Sequence, residues 1–296
     1  MKWPLLPKPE RKSDTPFFNL LYLHAAGQGG PDPTIVWVSE VPWDPMQEYL
    51  KSNNRSAPVM LGTSHLLVQA VGHALALHPE FNRRVVGRRV YPFKEVNVCL
   101  ATRLPNQNEV NLVLIKDVEQ KGLPEIAEAI WHNQLAYRRQ IEPVIRDRNR
   151  LRRLPGWFFR TIIRGFQGVE NLFPLPIVGR IDRYRCSPVL VNDFSQKRFP
   201  NMRAYKPSRM PDESKSLSVT LGPREEKIVW HDDQPKPIQV APLCVRADHR
   251  ICDGFQLSRF VSTMIRLLGE PEAMEFQRPK NSSCEEPTQA ARRKSA

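Results

Sequence analysis

The segment from Leu243 to Leu268 constrains the chain more than any other. Leu243, Cys244 and Val245 carry an apolar run up to Asp248-His249-Arg250-Ile251-Cys252-Asp253-Gly254. Beyond the glycine, apolar residues recur at 257, 260, 261, 264, 265 and 268, the i, i+3, i+4 spacing of an amphipathic helix. A buried strand, a polar loop and a one-faced helix therefore follow each other. Such a loop lies between two packed elements, where a rigid frame holds a reactive side chain in place.

The rest of the chain alternates the same two kinds of element. Thr34–Val41 is β-branched and aromatic and reads as a strand. Asp44 as cap and Pro45 at the first helical position predict a helix from there. Thr63 or Ser64 is expected to cap a buried helix through Leu66, Leu67, Ala70, Val71, Ala74, Leu75 and Leu77, which stops before Pro79. Strands are predicted at Arg89–Phe93, Val96–Thr102 and Val110–Ile115, then a helix beginning near Leu123 with Pro124 in its first turn. Pro188–Ser195 reads as a strand running into a turn, and Leu217–Leu221 and Lys227–Trp230 as two more. A turn at Asp232-Asp233-Gln234-Pro235 leads to Ile238–Arg246, the strand that delivers His249.

Strands and helices intermix without repeat or sharp linker, which predicts one α/β domain over residues 34–276. Residues 1–33 read as a proline-rich, charged arm, closed by a glycine-rich turn. Residues 277–296 form a polar tail with little to bury. Inside the domain, 138–180 is a basic segment in which Arg146, Arg148, Arg150, Arg152, Arg153, Arg160 and Arg164 interleave with Trp157, Phe158 and Phe159. It reads either as a basic amphipathic stretch meeting an anionic membrane or phosphates, or as a surface helix packed on the body. The break at Pro155-Gly156 favours the second.

Hydrophobic residues make up 41% and charged residues 25% of the 296 positions, the balance of a soluble globular protein. No apolar run approaches the roughly 20 residues that cross a bilayer, and Met1-Lys2-Trp3-Pro4-Leu5-Leu6-Pro7-Lys8 does not read as a signal peptide. A cytoplasmic location is expected. The five cysteines are odd in number and lack C-x-x-C spacing, which argues for reduced thiols over disulfides or zinc. His65 and His73 stand eight apart with no carboxylate between them at ligand spacing, so no metal is expected. The net charge of +13 attracts nucleic acid, anionic lipid or a phosphorylated small molecule such as coenzyme A. Zinc fingers, aromatic RNA-binding signatures and helix-turn-helix patterns are lacking, so no nucleic acid partner is expected.

On its own, H-x-x-x-D-G supplies a base and a carboxylate close in sequence. Histidine side chains transfer protons near neutral pH. Asp253 could pair with an arginine or orient the loop, and Gly254 could allow a close backbone approach or a positive φ at the start of the helix. A structural loop histidine fits the same pattern.

The motif does not stand alone. Leu67–Asn82 with its Pro-Glu-x-Asn ending, Tyr91–Ala101, Lys121–Ala127, Leu221-Gly222, Val229-Trp230 and Pro242-Leu243 precede it in order. Together with Asp248–Gly254 these stretches resemble the catalytic domain of the dihydrolipoyl acyltransferases of 2-oxoacid dehydrogenase complexes, relatives of chloramphenicol acetyltransferase. The resemblance spans about residues 34–274. It implies a two-layer sandwich, a mixed β-sheet covered by helices. It further implies direct acyl transfer without an acyl-enzyme, with His249 as general base and Asp253 holding the loop through an arginine. The acyl donor would be a coenzyme A or lipoyl thioester and the acceptor a thiol or hydroxyl. No cofactor would be bound, and no lipoyl group attached to this chain, so a lipoyl carrier would be another chain. The assembly would be a homotrimer with sites between subunits. In such relatives a serine or threonine hydroxyl on the strand matching Val189–Ser195 meets the oxyanion. Here Asn192 would donate through its amide, or Ser195 through its hydroxyl. The missing hydroxyl also admits a second expectation, a non-catalytic trimeric scaffold or assembly protein.

Overall fold

The computed structural model describes residues 33–86, 89–103, 110–136, 187–196 and 215–276, with positions 155, 157, 158, 161, 165 and 203 between them. The arm before Pro33, nearly all of the basic 138–180 segment and the tail 277–296 lie outside the described residues. Nine strands run in the order β1 Thr34–Pro42, β2 Arg83–Val86, β3 Arg89–Pro92, β4 Val98–Arg103, β5 Val110–Ile115, β6 Val189–Asp193, β7 Leu217–Leu221, β8 Glu225–His231 and β9 Gln234–Asp248. The described helices are α1 Trp43–Asn53, α2 Thr63–Leu77, α3 over 123–136, α4 Gly254–Gly269 and the short α5 Ala273–Phe276.

The main sheet has the order β1-β9-β7-β6-β4-β5, and β8 adds to the N-terminal half of β9. β6 runs parallel to both β4 and β7, and the other pairings are antiparallel, so the sheet is mixed. β2 and β3 form a separate ribbon. It meets the main body where the Val85 N–H donates to Ser216 Oγ at 3.2 Å.

Because side chains alternate along each strand, the register sorts the sheet into two faces. Val98, Leu100, Val189, Val191, Leu217, Val219, Leu221, Leu243, Val245 and Ala247 share one face and join the core. Helices α1, α2 and α4 cover that face and pack on one another. The predicted stripe of α4 is buried at Leu257, Phe260, Val261, Met264 and Leu268, with Ile265 at its margin and Leu267 added. Phe260 meets Phe81 with ring centroids 4.8 Å apart. Two layers result: a mixed sheet, and helices over one face.

Several boundaries differ from expectation, each for a local reason. Helix α1 starts at Trp43 directly after β1, so Asp44 sits in the first turn instead of capping it. Pro45 is tolerated there because the first-turn N–H groups have no intrahelical partner. Helix α2 starts at Thr63, and the side chain that serves its end is His65, whose Nδ1 accepts from the Gly62 N–H at 2.9 Å. The hairpin between β8 and β9 turns in two residues, Asp232 and Asp233, both at positive φ, as the right-handed strand twist favours. Residues Gln234 and Pro235 already belong to β9.

Asn82, the end of the Pro-Glu-x-Asn signature, donates through Nδ2 to the carbonyls of Phe93 and Glu95 at 3.0 and 3.2 Å. It thereby ties the end of α2 to the chain entering β4. Gly72 in the middle of α2 is required by contact. A Cβ there would run into Val118, itself fully buried. Gly72→Ala should therefore destabilise the fold by about 1–3 kcal/mol through overpacking, read as a lower urea midpoint. An unchanged midpoint would contradict the close approach of Val118 to α2.

Candidate active site

Strand β9 carries the chain to His249, and its last residues are gripped on both sides. Asp248 pairs with Thr34 in β1, and its N–H donates to the Ser216 carbonyl at 2.8 Å. The His249 N–H donates to the Pro33 carbonyl at 2.6 Å. His249 is half-buried, and its Nδ1 is shielded from solvent. Nε2 is therefore the ring nitrogen left to meet an acceptor.

The loop after His249 is organised by Asp248. Arg250 Nε lies 2.9 and 3.1 Å from the two carboxylate oxygens, and Nη2 donates to Oδ2 at 2.6 Å. The Arg250 N–H also donates to Oδ1 at 2.9 Å, and the Asp248 carbonyl accepts from the Ile251 N–H at 3.0 Å. Two-point guanidinium–carboxylate contacts carry both strength and orientation. This clamp brackets the histidine. It could have been suspected from the oppositely charged residues on either side of His249.

Asp253 does something else. Its Oδ1 accepts from the Gln256 N–H at 2.7 Å, while its own N–H donates to Gln256 Oε1 at 3.0 Å. That reciprocal pair is a capping box for α4. Among the described residues, the carboxylate that meets an arginine beside the histidine is Asp248. Gly254 is the first residue of α4; its φ is not in the left-handed range, and an added Cβ would meet nothing within 4 Å. The expectation of a positive φ or a close approach within the chain is corrected accordingly.

Cys252 is fully buried, and its Sγ–H points to the Asp248 carbonyl at 3.6 Å. Burial drives its thiol far above the ordinary range, and the carboxylates of Asp248, Asp253 and Glu80 add to the effect. A thiol held protonated is a poor nucleophile.

Asn192 and Ser195 lie apart from each other. Asn192 is on the sheet face opposite the helices, where its Nδ2 donates to Thr220 Oγ1 at 3.3 Å and Ser218 Oγ at 3.5 Å. One residue later, Asp193 points to the helix side and Ser195 follows it. Thr63 Oγ1 donates to Asp193 Oδ2 at 2.7 Å, and the Ser195 N–H to Asp193 Oδ1 at 2.9 Å. The Ser195 hydroxyl lies 2.7 Å from Thr63 Oγ1. Since Thr63 gives its proton to Asp193, Ser195 gives its own to Thr63. Ser195 thus belongs to a latch between β6 and the start of α2.

Neither residue stands near His249 of the same chain. Asn192 pairs with Thr220, and Thr220 with Cys244. His249 lies five residues further along, about 16 Å at roughly 3.3 Å per residue, with about 10 Å more across two strand spacings.

His65 sits beside that latch. Burial pulls its imidazole below the ordinary value of 6.5, and the Asp193 carboxylate partly opposes the shift. A depressed folded-state pKa means that the folded protein binds fewer protons than the unfolded chain. The stability this confers is present above about pH 6.5 and is lost as pH falls below it. His65→Gln should therefore reduce the drop in urea midpoint between about pH 7.5 and about pH 5.5. An equal drop in both proteins would contradict a neutral His65.

The chain matches the family model for the 2-oxoacid dehydrogenases acyltransferase (catalytic domain) over residues 31–142 and 217–276, more than half its length. No curated protein matches it. Among solved structures, the cubic core of the pyruvate dehydrogenase multienzyme complex is similar at 16% identity and a TM-score of 0.58, covering 91% of this chain and 99% of that one. The truncated catalytic core of the 2-oxoacid dehydrogenase multienzyme complex from Thermoplasma acidophilum is similar at 17% identity and a TM-score of 0.55, covering 88% and 99%. The dihydrolipoamide acetyltransferase of Azotobacter vinelandii is similar at 15% identity and a TM-score of 0.55, covering 91% and 99%. These likenesses show the two-layer acyltransferase-core fold. On the extent of the family match, the chain belongs to the 2-oxoacid dehydrogenases acyltransferase catalytic-domain family.

Proposed function

We propose that this chain catalyses direct acyl transfer from a coenzyme A or lipoyl thioester to a thiol or hydroxyl acceptor, with His249 as general base. The observation that carries this reading is the clamped His249 itself. Its backbone is fixed by the Pro33 carbonyl, and the Asp248–Arg250 pair stiffens the loop behind it. His249 Nε2 takes the acceptor's proton, and the acceptor attacks the thioester carbonyl. The tetrahedral intermediate collapses, and the departing thiolate takes the proton back from His249.

The protonated, buried Cys252 supports transfer without an acyl-enzyme, because the one cysteine in this loop is not available as a nucleophile. In the Azotobacter vinelandii protein, a serine, a histidine and an asparagine four residues after the histidine are the residues whose role in catalysis was investigated. Here Asp253 holds the same spacing from His249 and supports α4. Lysines and arginines in a chain of net charge +13 suit the phosphates of coenzyme A. The separation of Asn192 from His249 supports a homotrimer with shared sites, in which a lipoyl carrier would be a separate chain.

A second reading, a trimeric scaffold without catalysis, is favoured by the amide of Asn192 where a hydroxyl is expected. Thiol release from acetyl-CoA and longer acyl-CoAs separates the two. His249→Ala should lower kcat by about 100- to 10,000-fold, while Cys252→Ala should retain most activity. Equal rates for wild type and His249→Ala across donors and acceptors would remove the catalytic reading and leave the scaffold.

A further inference from the structure

The expected hydroxyl is missing from position 192, but the structure puts two others beside it. Asn192 stands directly opposite Thr220 on the neighbouring strand, and Ser218 is two residues away on the same face. The amide lies 3.3 Å from Thr220 Oγ1 and 3.5 Å from Ser218 Oγ, donating to both. A hydroxyl that accepts from an amide still has its own O–H to give. Strand β7 is paired on both edges, by β6 and β9, so its neighbouring main-chain groups are already used by the ladder.

Other nearby hydroxyls are committed. Ser195 bonds to Thr63 on the helix side of the sheet. Ser187 Oγ donates to the Val189 carbonyl at 2.9 Å, and Ser216 Oγ accepts from the Val85 N–H at 3.2 Å. Thr220 is 6% exposed at the floor of this face, and Asn192 beside it is partly open to solvent. The place has the makings of an oxyanion donor: a desolvated O–H whose oxygen is fixed by a neighbour, so that little reorganisation is needed as charge develops.

We infer that Thr220 is the oxyanion donor of the proposed transfer, its hydroxyl turned outward by Asn192, which acts as a positioning residue. The inference rests on the reading of His249 as base. As the acceptor sulfur or oxygen bonds to the thioester carbon, the carbonyl π pair moves onto oxygen, and the Thr220 O–H donates to it. When the carbonyl re-forms, the carbon–sulfur bond breaks, and the thiolate leaves with the proton held by His249. The hydroxyl has moved one strand across from the place the resemblance assigns it, and the Asn192 amide draws it back towards that place. Because Thr220 pairs with Cys244, five residues before His249, it serves the histidine of another copy.

The test is steady-state kinetics on the full chain with acetyl-CoA and a thiol acceptor. Thr220→Val keeps shape and strand preference but removes the hydroxyl. It should lower kcat by about 100- to 1000-fold with little change in KM for acetyl-CoA. Thr220→Ser should restore most of the rate, which a purely structural role would not require. Asn192→Ser in the Thr220→Val background should also recover activity, by returning a hydroxyl to strand β6. Asn192→Ala alone should lower kcat more than it raises KM. If Thr220→Val keeps the wild-type kcat while His249→Ala loses it, the donor assignment is overturned and the base survives. If His249→Ala is fully active, the underlying reading fails instead.

Discussion

Strand β9 is the member on which the rest depends. Its first half pairs with β8 alone, and its second half is held between β1 and β7. Val240 marks the changeover, opposite Pro42 of β1 and Glu225 of β8. From there Ala241, Leu243, Val245 and Ala247 point into the core, each no more than 1% exposed. At about 25 cal/mol per Å² of apolar surface removed from water, such a strand is among the costliest in the fold to displace. The loop that follows inherits this fixity. His249 is placed by the backbone pairing of residues 33, 34 and 248 together with the Asp248–Arg250 clamp, before any substrate arrives.

The same sheet divides the chemistry from the core by parity. Alternate residues face the helices and supply Val189, Val191, Val219 and Val245 to the interior. Their neighbours in sequence face the other way and supply Asn192, Ser218, Thr220, Cys244 and Arg246. A single step along β6 therefore separates Asn192, on the polar face, from Asp193, which serves the start of α2. Polarity on the second face follows from its distance from the helix layer, and it leaves a buried amide–hydroxyl cluster that the core has no use for.

Much of the layout was legible in the sequence because it rests on periodicity. The α4 stripe, the apolar α2, the strand at Val110–Ile115 and the delivery of His249 by the last strand all appear as expected. Less legible were features that depend on which neighbour a side chain finds. Thr63 looks like a helix cap, but its hydroxyl is taken by Asp193, 130 positions away, and His65 serves the helix end. Asp253 looks like an arginine partner, but the nearer Asp248 takes Arg250, and Gln256 stands at the spacing of a capping box. Ser195 and Asn192 are three positions apart in sequence, yet the turn after β6 carries Ser195 back to the helix side. Thr220 could not be found from the sequence at all, since nothing in Leu217–Leu221 reveals that its register brings a hydroxyl beside Asn192.

The account's central claim is that a site is completed by His249 of one copy and the polar sheet face of another. Subunit complementation tests it most directly. Chains carrying His249→Ala and chains carrying Thr220→Val are co-expressed in equal amounts, and acyl transfer by the mixed assembly is compared with each variant alone. Random mixing in a closed trimer with shared sites gives about a quarter of sites an intact histidine and an intact threonine. The account predicts recovery of about a quarter of wild-type activity from two nearly inactive proteins. A mixture no more active than its parents, in trimers shown to contain both chains, would contradict it.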